Sequence, residues 1–249
     1  RIENYYGFEN GISGKELNDA GIKQAQNLGV KFLEKEVISI KYAEDGYEVV
    51  VANQGMDEKY LAKTIVLATG TNRNRPQIKG VKEFEGRGIS YCAICDGFFY
   101  RKKDVYVLGY GKYALAEAEE LKKIANSVTI LTNGHTPEFN QIEDIKVITT
   151  PIKKFSGETK LEHIEFIDES QIDVPGLFVA WGVAGGYDFA RKIGIQVENN
   201  KIVVNNKMET NVKGFYACGD VIGAPYQVST AVYEGSIAGL SISDMLKHK

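Results

Sequence analysis

"DVYVLGYGKYALAEAEELKKIANSVTILT", residues 104–132, decides the fold. Val105 to Leu108 form an apolar run, and Gly109 and Gly111 punctuate a turn. Ala114, Leu115, Ala118, Leu121 and Ala125 then recur at helical spacing before a second apolar run from Val128 to Leu131. This is strand, glycine turn, helix, strand: a complete βαβ unit of the doubly wound kind. The glycine turn alone is weak evidence for a bound nucleotide, because it also serves close strand-to-helix packing.

Upstream, "SGKELNDAGIKQAQNLGVKFL" (13–33) opens with Ser13 and has Glu16 three residues on, a capping-box pattern. Leu17, Gly21, Ala25, Leu28 and Phe32 fall on one face, which predicts an amphipathic helix. "EVISIKY" and "GYEVVVA" flank a turn signal at Asp45-Gly46 and predict a hairpin, followed by a buried strand in "YLAKTIVLATG" that ends at Thr69-Gly70. Downstream, short apolar runs at 145–148, 161–167 and 177–181 are broken by Pro151, Gly157 and Pro175-Gly176. "KIVVN" and "GFYACGD" read as strands and residues 226–247 as a last helix.

With 249 residues, 43% apolar and 25% charged, the chain is long enough for one large or two ordinary globular domains. A net charge of −3 carries no basic surplus to mark a nucleic-acid binder, and no apolar run approaches the roughly 18 to 20 residues of a membrane span. Cys92, Cys95 and Cys218 are too few for a secreted disulfide framework, so a reducing, cytoplasmic setting is expected. The chain starts "RIENYYGFENGISGKEL" without Met or a signal segment and reads as a break within a domain.

Cys92 and Cys95 make a C-x-x-C pair. A structural zinc site needs a second ligand pair, and Cys218, His135, His163 and His248 are scattered. A purely structural bridge over two residues closes too small a loop to restrict the unfolded chain much. A cycling dithiol remains, in which proximity makes intramolecular attack fast. A thioredoxin-like fold would put the pair on a long helix straight after a strand, whereas Asp96-Gly97 interrupts here and a new strand starts by Val105. Asp96, directly after the pair, fits either a proton donor to a departing thiolate or the cap of a short helix, and both readings stay open.

"YCAICDGFFYR" followed by the G-x-G-x-x-A turn, preceded by "IVLATG" and followed by "GFYACGD", resembles the low-molecular-weight flavin thioredoxin reductases. The similarity runs from "ENYYGF" and "ISGKEL" to "GDVIGAPYQVSTAVYEG". It implies an α/β fold of two nucleotide-binding-type, Rossmann-like three-layer domains, the second inserted in the first. Residues 1–87 and 210–249 would form the FAD domain, and residues 88–209 the inserted domain with the cysteine pair. By the same resemblance Cys95 faces the flavin, Cys92 attacks the disulfide of thioredoxin, and Asp96 is the proton donor. Asn4, Thr69, Gly70, Gly219, Asp220, Gln227 and Val228 match positions around FAD, Cys218 is a buried bystander, and a homodimer is implied.

Two departures bear on mechanism. The FAD domain of this family opens with its own G-x-G-x-x-G, and none is present, so a first βαβ portion of roughly 30 to 45 residues is expected to be missing. The second lies after the βαβ unit: NADP readers carry arginines there and NAD readers a carboxylate, whereas "VTILTNGHTPEF" has no arginine cluster and Thr132-Asn133 offers no carboxylate. "WGVAGGYD" also departs from the family's G-x-x-P, and 151–175 looks shortened. Together these resemble the ferredoxin-dependent flavin thioredoxin reductases, which makes reduced ferredoxin the expected donor. Arg101, Lys102, Lys103, Lys122, Lys123, Lys153 and Lys154 are candidates for docking an acidic partner, set against the plainer role of solvated surface. Two other readings are an NADH- or NADPH-dependent thioredoxin reductase with an unusual ribose pocket, and a non-catalytic flavin and thiol redox sensor.

Overall fold

The computed structural model describes residues 1–53, 56–71, 76–140 and 142–247; His248, weighed above as a zinc ligand, lies outside them. Helix α1 (Gly14–Asn27) begins with the expected capping box: Ser13 Oγ accepts from the Glu16 amide and the Glu16 carboxylate from the Ser13 amide, both at 3.1 Å. It ends sooner than its apolar spacing suggested. Gly29 turns left-handed (φ 84°), its amide donates to Gln26 O and that of Val30 to Ala25 O, which closes the helix and leaves Phe32 beyond it. None of its residues is buried.

Strands β1 (Val37–Ala43), β2 (Gly46–Val51) and β3 (Glu58–Ala62) form an antiparallel meander. "YLAKTIVLATG" is therefore divided, not one strand. Its start completes β3, Lys63 and Thr64 turn the chain, and β4 (Ile65–Leu67) joins a different sheet.

After α2 (Val81–Phe84) come β5 (Ile89–Ser90), α3 (Ala93–Asp96), β6 (Asp104–Leu108), α4 (Lys112–Lys122), β7 (Ser127–Leu131) and β8 (Ile145–Ile148). The βαβ unit is present where the sequence places it. Three strands follow, β9 (Ile152–Ser156), β10 (His163–Phe166) and β11 (Gln171–Asp173), as an antiparallel sheet, and then β12 (Leu177–Val179). β12 inserts beside β6, giving an all-parallel sheet in the order β5-β12-β6-β7-β8. One face packs on α3 and α4 through Val105, Val107, Ala114, Ala118, Leu121 and Ile130; the other packs on β9–β11 through Leu108, Leu131, Phe155, Ile164 and Leu177. Each of these larger aliphatic side chains contributes about 1.5–3 kcal/mol by leaving water.

The chain then runs through α5 (Gly186–Ile193), β13 (Val197–Glu198), β14 (Lys201–Ile202), β15 (Phe215–Ala217) and α6 (Val228–Lys247). β15 pairs in parallel with β4, and a third core gathers Ile40 and Tyr47 from the meander, Leu67, Phe215 and Ala217 from this pair, and Phe189, Ala190 and Ile193 from α5. The architecture is α/β and Rossmann-like. Among the described residues no helix is long and apolar enough to cross a membrane.

Candidate active site

Cys92 and Cys95 are joined by a disulfide across the four-residue turn that connects β5 to the βαβ unit, with Cα atoms 5.3 Å apart. Ser90, at the end of β5, organises the turn. Its hydroxyl donates to Asp96 Oδ2 at 2.6 Å and accepts from the Cys92 amide at 3.1 Å. Asp96 is half-buried beside Tyr100, whose phenol is raised above its ordinary range by burial and then by the Asp96 charge. The two cysteines differ in access: Cys92 is 1% exposed, while Cys95 is exposed.

Two side chains far away in sequence hold this turn. Glu117 on α4 is buried, and its Oε2 accepts from the Ala93 amide at 3.0 Å. Its Oε1 accepts from Lys192 Nζ on α5, and Lys192 also lies 4.8 Å from the centre of the Tyr113 ring. Cys95 Sγ is 3.9 Å from Arg191 O, again on α5. Neither Glu117 nor Lys192 stands out in the sequence, because a separation of 75 positions conceals the pairing.

The other end of α5 opens a cleft. Gly70, Gly185, Gly186, Lys201, Asp220 and Tyr226 are among the residues lining a cavity of about 410 Å³. A neighbouring cavity of about 330 Å³ is lined by Gly70, Gly219, Asp220, Gln227 and Val228, together with Cys218 and Tyr226. Asn4 Nδ2 donates to Gln227 Oε1 at 2.7 Å, and Thr69 Oγ1 accepts from the Gly186 amide at 3.0 Å. The seven residues matched to FAD positions thus converge on one region. Gly185, Gly186, Lys201 and Tyr226 join them; the Gly-Gly pair before a helix was their one sequence signal.

The cleft fits a flavin dinucleotide. Gly70 and Gly219 are both left-handed (φ 68° and 74°), and a Cβ at Gly70 would meet no protein atom within 4 Å, so bare backbone borders the space. Asp220 offers a carboxylate for sugar or ribityl hydroxyls, and Gln227 an amide for the polar edge of a ring. Cys218 lies buried at the rim, its thiol raised by burial and then by Glu234, whose carboxylate accepts from the Gly219 amide at 2.7 Å.

At the crevice beyond the ends of β6, β7 and β12, where a doubly wound sheet binds its ligand, the chain places its own side chains. Tyr110 stacks on His135 (4.3 Å, 10°), and Trp181 meets both edge-on at 5.1 Å. The Glu138 amide donates to Tyr110 O, and its carboxylate lies near Gly111 at the start of α4. Gly109 serves packing: a Cβ there would stand 2.1 Å from the Ala180 carbonyl oxygen. Several lysines proposed for docking are already paired, Lys122 with Asp144, Lys123 with Glu120, and Lys153 and Lys154 both with Glu165.

Comparison with known proteins gives this arrangement a family. The family described as pyridine nucleotide-disulphide oxidoreductase matches residues 2–235. The chain belongs to that family. Within it, the chain is 31% identical to a thioredoxin reductase of Aquifex aeolicus, covering all of this chain and 81% of the relative. It is 32% identical to one of Helicobacter pylori, covering 99% and 85%. Among solved structures, the atypical thioredoxin reductase TRi from Desulfovibrio vulgaris Hildenborough superposes with a TM-score of 0.84 at 33% identity, over 97% of this chain and 83% of that one. A ferredoxin-flavin thioredoxin reductase from Clostridium acetobutylicum superposes at 0.64 and 32% identity, over 100% and 84%. This pyridine nucleotide-disulphide oxidoreductase is a flavoprotein enzyme of the low-molecular-weight thioredoxin reductase type, with FAD as its cofactor.

Proposed function

We propose that the protein reduces the disulfide of thioredoxin with electrons from a pyridine nucleotide, using an atypical ribose pocket, and that Cys92 and Cys95 are the relay. The observation that carries the reading is α5: one end lines the FAD cleft and the other touches the disulfide turn. FAD, when bound, supplies the two-electron step between donor and disulfide. By family resemblance Cys95 is the cysteine that meets the cofactor and Cys92 the one that attacks thioredoxin; Cys95 is exposed but touches the end of α5 away from the cleft, so the relay also requires it to move towards the flavin. Asp96 would return a proton to a departing thiolate within the turn, a role supported by the Ser90 hydrogen bond that fixes its carboxyl group there. Because Cys92 is 1% exposed, thioredoxin can reach it only after the turn is uncovered, which calls for a movement of the sheet bearing α4 relative to α5.

The donor named here is the second of those weighed from sequence. The family description contains a pyridine nucleotide, and of the relatives named above one alone is described as ferredoxin-flavin. Ferredoxin is the second reading, favoured by the Tyr110–His135–Trp181 cluster and Glu138 in the crevice that a dinucleotide would use. Anaerobic absorbance titration of the flavin with NADPH, NADH and then reduced ferredoxin decides between them. Stoichiometric bleaching by either nucleotide supports the first reading; bleaching by ferredoxin alone overturns it. Multiple turnover with thioredoxin excludes the non-catalytic sensor.

The inserted unit is best drawn as residues 88–181, shorter than the 88–209 expected from sequence, because Phe189, Ala190, Ile193, Ile195 and Ile202 share a core with the meander and β15. The homodimer is kept as part of the proposal: α6 leaves Val232, Tyr233, Leu240 and Leu246 exposed, side chains that a partner copy would cover.

A further inference from the structure

Glu117 and Lys192 join two separately packed parts of the molecule. Glu117 sits on α4, whose apolar side packs on the five-stranded sheet, and Lys192 on α5, whose apolar side packs with the meander and β15. Their side chains are 3% and 7% exposed, so this is a buried charge pair. The second oxygen of Glu117 holds the Ala93 amide, the residue between Cys92 and Ile94 in the disulfide turn. Lys192 follows Arg191, whose carbonyl lies beside Cys95. One carboxylate therefore ties together α4, α5 and the redox-active turn.

We propose that Glu117 and Lys192 are positioning residues that form a latch, holding the disulfide turn against α5 and setting how readily Cys92 becomes accessible. A buried pair of this kind is a poor source of net stability, because desolvating both charges offsets most of their attraction. It is a sharp source of geometry, because each charge satisfied by the other is left buried and alone in any arrangement that separates them without admitting water. Once the two parts move far enough for water to enter, both charges are rehydrated and the cost of separation falls. The latch thus favours one arrangement without locking it, as a cycle that must expose Cys92 requires. Two other ion pairs, Lys41–Glu120 and Lys112–Asp57, also join α4 to the meander, but both are substantially solvent-exposed and neither touches the turn. This inference rests on the thiol relay proposed above, and its test needs neither thioredoxin nor a pyridine nucleotide or ferredoxin.

The test is alkylation of the FAD-loaded full chain, reduced with dithiothreitol and pulsed with iodoacetamide, with each cysteine followed by tandem mass spectrometry. Cys218 is the internal control, since it is buried and lines the cavity beside Gly219 and Asp220, not the disulfide turn. Glu117→Gln and Lys192→Met are each expected to raise the rate at Cys92 roughly tenfold with Cys218 unchanged, Lys192→Arg to stay near the parent rate, and Lys41→Ala to have no effect. The double variant Glu117→Gln/Lys192→Met leaves no unpaired buried charge and provides the measurement if a single variant does not fold; it too should label faster at Cys92. An unchanged Cys92 rate overturns the latch. So does a parallel rise at Cys92 and Cys218, which would mean that the pair only stabilises the fold.

Discussion

Gly186→Ala tests the FAD cleft through one methyl group. A Cβ built at Gly186 stands 2.3 Å from Thr69 Oγ1 and 3.4 Å from both Thr69 Cβ and Val221 Cγ2. Ordinary contact begins near 3.4 Å, so Thr69 Oγ1 must move by about 1 Å, through rotation of its side chain or separation from the start of α5, and either movement breaks the 3.0 Å hydrogen bond between the Gly186 amide and Thr69 Oγ1. Overpacking of this kind costs about 1–3 kcal/mol and the hydrogen bond about 1 kcal/mol more. For a chain of this size that lowers the melting temperature by roughly 4 to 16 °C. Because Gly186 lines the cleft and Thr69 is hydrogen-bonded to it, FAD retention should fall as well, read as the flavin-to-protein absorbance ratio after gel filtration. Adding Thr69→Ala to the variant removes the clashing oxygen and should recover part of the thermal loss, a coupling that independent sites would not show. Full FAD content with an unshifted melting temperature in Gly186→Ala would refute the close approach and the placement of the cofactor beside α5.

Cys92→Ser should keep a flavin that its donor still bleaches while thioredoxin turnover is abolished; measurable turnover removes Cys92 from its assigned role. Ser90→Ala leaves the buried Cys92 amide without its 3.1 Å acceptor and Asp96 without its 2.6 Å donor, at about 1–3 kcal/mol for the unsatisfied group. Thioredoxin turnover should fall roughly tenfold with donor-driven flavin reduction unchanged, and equal losses in both would show that Ser90 acts on folding alone. Glu36 is raised by burial and then by the nearby Glu138, so its contribution to stability is full below its unfolded pKa and lost as pH rises through the folded one. Glu36→Gln should therefore gain stability at pH 7, by less than about 1 kcal/mol given partial solvent screening, and match the parent near pH 4 in thermal melts. A gain that persists unchanged into acid contradicts this origin. The Cys218 thiol, raised by burial and then by Glu234, should label more slowly with iodoacetamide than a free cysteine at pH 8, and Glu234→Gln should speed it; no change on that substitution would show that the Glu234 charge is not acting on Cys218.

Local pattern was enough for much of this molecule. The capping box at Ser13 and Glu16, the βαβ unit from Asp104 to Leu131 and the cysteine pair with Asp96 are each written within a few residues, since their hydrogen bonds and periodicity join near neighbours. Where a glycine or a two-residue break redirected the chain, the pattern misled: Leu28 and Phe32 continue an apolar spacing that Gly29 ends, and Tyr60 and Ile65 belong to different sheets although one run spans them. The strands β9 and β11 escaped because they are short and interrupted by charge, whereas β10 falls within the apolar run at 161–167.

The sequence by itself therefore determined the α/β fold class and the cysteine pair, because these depend on short-range spacing, whereas the positions matched to FAD were legible only through a family resemblance. Only the tertiary structure decided what surrounds them. It paired Glu117 with Lys192, set Thr69 against Gly186, filled the crevice at Gly109 with Tyr110, His135 and Trp181, and buried Cys92 while exposing Cys95. Each of these contacts joins positions brought together by packing of the sheet and α5, and charge burial and steric approach exist only once that packing has excluded water.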